Sequence, residues 1–333
     1  MSEKEAPYPV IDLHCDLPHY LATVQDADPG NIEDIGCAIP YLRQGNVKLQ
    51  VMAISSVEPV PSPALTELQV KWYERLLTNY AEDFVQVTGP AESEKILGSD
   101  RIGIVSAIEN AAALVANDEP VRMAFDRLED VINRTGLPLY VSLTHHGETR
   151  FGGGNKTTVG LKGDGRALLD YLGGRKIAVD LSHTSDNLAH DIINYIDTQS
   201  LNMPVIASHS NFRDVHDHPR NLSNGLAKVI VQRQGLIGMN FLRAFMHPSD
   251  PSALAEHIAY GLNLNGGSAI CFGADYFYTQ AHPDPSRVPF FLEEFEHAGK
   301  YQEVLQSLVS QFDGQFLEGL SFGNVLRYLS RTC

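Results

Sequence analysis

Short apolar, β-branched runs alternate with longer amphipathic stretches along the chain. The runs are residues 9–16, 47–56, 101–110, 137–146, 176–185, 203–211, 235–242 and 268–276. Each is too short for a helix and rich in Val, Ile, Leu and Phe. Near-continuous apolarity of this kind marks a parallel strand buried on both faces. Between them, residues 65–84, 117–135, 165–172, 187–198, 222–233 and 251–265 carry helical spacing. Eight strands alternating with helices predict an α/β fold, a single (β/α)8 TIM-type barrel over residues 1–333. Residues 290–333 read as extra C-terminal helices capping one end.

Composition narrows the class. The 333 residues are 43% hydrophobic and 20% charged, an ordinary globular balance with no repeat or low-complexity tract. A formal net charge of −16 leaves no cationic surplus for gripping phosphates, so nucleic acid is not an expected partner. No apolar run reaches the roughly 18 residues of a membrane span, and the acidic start MSEKEAPYPV lacks a signal-peptide core. The expected location is the cytoplasm. Cys15, Cys37, Cys271 and Cys333 show no CxxC spacing and read as reduced thiols.

Ionisable residues gather where the predicted strands end, the rim at which barrel enzymes build their sites. The first strand ends Asp12-Leu13-His14-Cys15-Asp16, and alternation puts Asp12, His14 and Asp16 on one face. A His and a carboxylate two apart can grip one cation; a core His beside a helix-capping Asp would look the same. Glu109 closes the apolar run 102–108, where a carboxylate needs a cation or partner unless it opens an exposed loop. His183 and His209 end the fifth and sixth strands, and Asp275 ends the eighth. With barrel closure these residues converge into a set suited to zinc, with Glu109 able to bridge two ions. Asp275 can accept a proton, although a turn-capping Asp reads alike. Of His145 and His146, one faces inward; His145 is favoured, and His146 is read as a loop residue or as one that supports the site from behind. The Gly152-Gly153-Gly154 run lacks a following GK[ST] and reads as a flexible active-site loop. Arg220, in the His- and Asp-rich stretch 214–221, offers a planar fork for a substrate carboxylate unless that loop is simply solvated. No GxSxG or Ser/Cys–base pairing supports a covalent mechanism.

The motifs together resemble the membrane (renal-type) dipeptidases of the amidohydrolase-like barrels. Residues 12–18 (DLHCDLP) resemble that family's D-G-H-N-D-L-P, and 179–185 (VDLSHTS) its D-L-S-H-x-S. Residues 204–221 (PVIASHSNFRDVHDHPRN) are similar to its P-V-I-x-S-H-S…R-N, 143–145 to its L-T-H, and 323–327 (GNVLR) to its G-N-x-L-R. The motifs keep family order over nearly the whole chain. The resemblance implies two divalent ions, most simply Zn2+: His14 and Asp16 on one, His183 and His209 on the other, Glu109 bridging. It implies that a hydroxide held between the ions attacks a dipeptide, with His145 polarising the carbonyl and Asp275 shuttling the proton. Arg220 would hold the substrate carboxylate, and Asn240 joins His145 and Arg220 as an expected substrate contact.

Three stretches depart from the family pattern. D-F-D-G is here Asp275-Tyr276-Phe277-Tyr278; C-N-T-P-W is replaced by His146-Gly147-Glu148-Thr149-Arg150-Phe151; and Asn240-Phe241 is followed by Leu242 rather than Tyr. All concern the expected substrate pocket. Hydrolysis of a lactone, cyclic amide or N-acyl amino acid is therefore the nearest competitor, because one scaffold hosts many chemistries. A non-catalytic metal-binding barrel would have no use for Asp275, and a lyase or deaminase would reveal itself by its products. The expected partner is a small-molecule dipeptide, with a homodimer left open.

Overall fold

The computed structural model describes residues 7–56 and 63–332. It contains nine parallel strands: β1 (Val10–Cys15), β2 (Val47–Ser55), β3 (Phe84–Gln86), β4 (Ile102–Glu109), β5 (Tyr140–Ser142), β6 (Ala178–Asp180), β7 (Val205–Ile206), β8 (Ile237–Met239) and β9 (Ile270–Phe272). All but β3 run in the order β7-β6-β5-β4-β2-β1-β9-β8. A parallel bridge between Ala207 and Ile237 joins the two ends of that series. There the Ala207 N–H donates to the Leu236 carbonyl and the Gly238 N–H to the Ala207 carbonyl, each at 2.8 Å. The eight expected strands thus form the expected ring. β3 was not anticipated. It pairs with the first half of β4, along the edge that β5, paired only at Ile108, leaves open. The helix expected over 65–84 is Pro63–Asn79, so the chain turns early enough to supply that strand.

Alternation sorts the strands into two layers. Leu49 and Val51 of β2, Val105 and Ala107 of β4, Tyr140 of β5 and Ile206 of β7 share one interior cluster. Met52, Ile54, Ile104, Ile108, Val141 and Val179 pack outward beneath the helices. The C-terminal helix Asn324–Thr332 sends Val325, Tyr328 and Leu329 into the interior cluster. Asn324 Nδ2 donates to the carbonyls of Gly267 (2.9 Å) and Ile270 (2.7 Å), at the entry of β9. The C-terminal segment therefore plugs the N-terminal mouth, and the mouth at the strand C-termini is the one left for chemistry.

Among the described residues no helix is long and apolar enough to cross a membrane. Cys15, Cys37 and Cys271 are buried and free, while Cys333 lies outside the described residues. β5 to β9 pair over only two or three residues each, far fewer than their apolar runs. Most site residues therefore stand on backbone that has already left the sheet.

Candidate metal centre and substrate cavity

Glu109, the last residue of β4, is the hub. Its Oε1 lies 3.0 Å from His183 Nε2, 3.4 Å from His209 Nε2 and 3.8 Å from His14 Nε2. His14 Nε2 is in turn 4.0 Å from Asp16 Oδ1 and 3.6 Å from Asp275 Oδ1. Two of the compact donor sets, His14/Asp16/Glu109 and Glu109/His183/His209, have their ligand atoms within 4.8 Å of one another and share Glu109. The structure thus brings together all five residues singled out as ligands, with Asp275 beside them.

Local backbone explains the convergence. A register irregularity in β1 sets the three steps from Asp12 to Cys15 against two on β2. This corrects the expectation that Asp12, His14 and Asp16 share a face. Asp12 instead points into the packing layer, accepting hydrogen bonds from Tyr301 Oη, Gln50 Nε2 (2.8 Å), the Ala274 N–H (2.9 Å) and the His14 N–H (2.8 Å). His183 has φ +67° and Asp275 φ +68°. Such left-handed backbone costs a non-glycine residue roughly 1–2 kcal/mol and breaks strand alternation. In β6, alternation from the interior residues Ala178 and Asp180 would turn His183 outward; the left-handed turn brings it to Glu109.

The imidazoles are held from behind. His14 Nδ1 meets Tyr140 Oη and His209 Nδ1 meets Ser208 Oγ, each at 2.7 Å. Ser208 Oγ in turn donates to Asp180 Oδ2 at 2.6 Å. Such outer partners fix the tautomer and aim Nε2 inward. There, His14 Nε2, His209 Nε2 and Asp16 Oδ1 are buried with no hydrogen-bond partner. Buried polar atoms are rarely left so, and imidazole nitrogens facing carboxylates are the donor set of a divalent cation. The residues fit metal.

Electrostatics agree. Burial, reinforced by the charges of Asp16 and Asp275, holds the Glu109 carboxyl well above its ordinary range. Burial and then Asp275 push Asp16 up to about 7. Burial raises Asp275 to about 6, although Arg220 and the Asn240 hydrogen bond pull it down. Burial, with Arg220 adding, lowers His14 to about 3, and burial keeps His183 and His209 well below the usual histidine range. A bound cation reverses the carboxyl shifts and favours the neutral imidazoles.

Above the centre lies a cavity of about 820 Å³ whose wall includes Asp16, Glu109, His145, His183 and Asp275. His146 belongs there too, its ring 4.1 Å from that of His145 and 4.9 Å from that of His183. His146 does lie in the loop after β5, and the correction is that it faces the cavity together with His145: β5 ends at Ser142, so alternation says nothing about residues 145 and 146. His19, on the helix after β1, also lines the cavity, a role no local signal announced. The glycine run, expected as a flexible active-site loop, is closely packed. Gly152, Gly153 and Gly154 are buried, and a Cβ on Gly154 would come within 2.1 Å of the His145 carbonyl oxygen. Its lack of a side chain lets the chain pack against the backbone that carries both histidines.

Asn240 is corrected as a substrate contact. It is fully buried; Nδ2 donates to Asp275 Oδ2 (2.8 Å) and the His209 carbonyl (3.2 Å), while Oδ1 accepts the Leu242 N–H (2.8 Å). Arg220 lies behind the cavity rather than over it. Only 3% exposed, it donates to Ser210 Oγ (3.0 Å) and the His209 carbonyl (3.2 Å), and its guanidinium sits 5.4 Å from the ring of Phe245, which does line the wall.

A family model for the membrane dipeptidases, peptidase family M19, matches residues 4–332. The chain belongs to this family. Membership makes it a metal-dependent dipeptidase, a hydrolase. It is 25% identical over 302 residues to an uncharacterized dipeptidase of Schizosaccharomyces pombe, covering 81% of this chain and 69% of that relative. In fold it resembles a solved dipeptidase of metallopeptidase family M19 (TM-score 0.82, 18% identity, 98% of this chain and 99% of that one). It also resembles a Rhodobacter sphaeroides metallopeptidase bound to a phosphinate mimic of L-Ala-D-Ala (TM-score 0.82, 17% identity, 98% and 100% covered).

Against its family this dipeptidase departs in the cavity wall. His146, Leu242, Phe277 and Tyr278, from the three divergent stretches, all line the cavity. The donor residues around Glu109 keep the family pattern.

Proposed function

We propose that this enzyme cleaves the peptide bond of dipeptides at two divalent ions, with zinc the metal that its histidine-rich donor set suits best. The observation that carries the reading is the pair of donor sets that meet at Glu109. His14 and Asp16 would hold one ion, His183 and His209 the other, and Glu109 both. When bound, such ions supply Lewis-acid activation of water and of a carbonyl oxygen.

The chain's own groups do the rest. Tyr140 and Ser208 keep His14 and His209 aimed inward. Asp275 has Oδ2 tied to Asn240, which leaves Oδ1 facing His14 and the centre. It takes a proton from the attacking water and returns it to the leaving amine, a step that a carboxyl raised to about 6 suits. His145, in the wall beside His183, donates a hydrogen bond to the scissile carbonyl oxygen as negative charge develops there. The substrate α-carboxylate is assigned to Arg220, which would have to reach it from behind the cavity wall. Two of the guanidinium's five N–H groups are used by Ser210 and His209, and Nε is buried without a partner.

Titrating metal-free protein with Zn2+ while following both binding and Ala-Ala cleavage tests the stoichiometry. Saturation at two ions per chain, with activity following the second, is expected. Full activity at one ion per chain would overturn the bridged-pair reading.

A further inference from the structure

Two cations of the cavity wall take no part in this chemistry. Lys156 stands in the loop after β5, and Arg287 ends a short 3-10 turn (Pro285–Arg287) that follows β9. Among the described residues neither has a carboxylate within ion-pair distance, whereas Arg150 and Lys162, close to Lys156 in sequence, pair with Asp164 and Glu148. Arg287 Nη1 meets only His282 Nε2, at 3.4 Å, and its guanidinium lies 5.3 Å from the centroid of the Phe290 ring. That ring supports a planar fork from below.

Outside the metal centre the wall holds one carboxylate, Asp284, and its Oδ1 already accepts from the Ser286 N–H (3.0 Å) and Oγ (2.6 Å). Lys156 and Arg287 outnumber that carboxylate, so the wall beyond the centre is net cationic in a chain whose formal net charge is −16. An acidic enzyme repels anionic substrates at long range, and a cationic wall offsets this at the point of binding. The cavity is near the upper end of the volumes typical of small-molecule sites, which leaves room for a long side chain beside the dipeptide backbone.

We propose that Arg287 and Lys156 form a subsite for a second substrate carboxylate, so that dipeptides bearing an Asp or Glu side chain are preferred over their amide counterparts. The proposal rests on the dipeptidase reading and adds the substrate class. An amide has the same shape as the acid, so the comparison isolates charge. Arginine grips a carboxylate through two parallel N–H bonds that an amide cannot fully replace.

The test measures kcat/KM of the zinc-loaded enzyme on Ala-Glu against Ala-Gln and on Glu-Ala against Gln-Ala. An acid-to-amide ratio of about 10 or more is expected in at least one pair, the scale of one charge-assisted contact. The Arg287→Gln/Lys156→Gln variant, with folding verified by circular dichroism and metal content, should bring that ratio close to 1. Arg287→Lys should retain part of it. A ratio near 1 in both pairs for the unmodified enzyme, or one unmoved in the double variant, overturns the subsite. No turnover of any dipeptide, Ala-Ala included, would overturn the parent reading and this inference with it.

Discussion

Asn240 Nδ2 donates a 2.8 Å hydrogen bond to Asp275 Oδ2, and the Leu242 N–H on Oδ1 fixes the amide in that orientation. The buried amide thereby sets which carboxylate oxygen of Asp275 faces the centre. Asp275→Asn keeps the shape and removes the proton acceptor, so kcat should fall roughly 10²–10⁴-fold with metal content unchanged. Asn240→Ala should cost about 10–100-fold, the usual scale for a residue that orients a reacting one. Activity within a few-fold of the unmodified enzyme in Asp275→Asn would make that carboxylate structural.

Glu109 stands within 4 Å of three imidazole nitrogens, a position that predicts an asymmetric metal phenotype. Glu109→Ala should weaken both ions and His14→Ala mainly one, as read by elemental analysis after dialysis. Removing metal should also lower thermal stability, since binding at a hundred times Kd contributes about 2.7 kcal/mol. Two retained equivalents in Glu109→Ala would contradict the shared ligand.

Arg220 is tied to Ser210 and the His209 carbonyl and so has two conceivable duties. If it anchors the α-carboxylate, Arg220→Ala should lower kcat/KM for free dipeptides by about 10–200-fold. C-terminal dipeptide amides, already poor substrates, should lose little more. Equal losses on acids and amides would make Arg220 a support for the loop that carries His209.

His257 predicts an acid sensitivity that arises outside the active site. Its Nδ1 accepts the Phe212 N–H (3.2 Å) and its Nε2 meets the Met246 carbonyl oxygen (3.2 Å), an arrangement only the neutral ring satisfies. Burial lowers its pKa from 6.5 to about 4. Between those values the unfolded chain binds the proton and the folded one does not, so stability is full above about pH 6.5 and falls as pH drops towards 4. His257→Gln should remove about 2 kcal/mol of the stability lost between pH 7 and pH 5, measured by urea unfolding. An unchanged pH slope would refute this.

What the sequence made legible follows from burial. Parallel strands covered on both faces read as continuous apolar runs, so the ring of eight was countable, and Glu109 stood out because it ended one of them. The sequence does not mark where regular pairing stops. β5 ends at Ser142 and β6 at Asp180, and beyond those points turns such as the left-handed one at His183 decide direction. Alternation therefore misplaced His146, and the irregularity in β1 misplaced Asp12. Arg220 and Asn240 were recognisable by type but not by depth, because burial in a loop depends on its neighbours. Lys156 and Arg287 gave no local signal, since two segments distant in sequence bring them to one wall.

The most direct measurement is amino-acid release from a dipeptide panel by the zinc-loaded enzyme, before and after chelation, with lactones and N-acyl amino acids alongside. The account predicts kcat/KM of about 10⁴ M⁻¹s⁻¹ or more on at least one dipeptide, abolished by chelation and restored by metal. Cleavage that survives complete metal removal, or turnover confined to lactones or N-acyl amino acids, would contradict it.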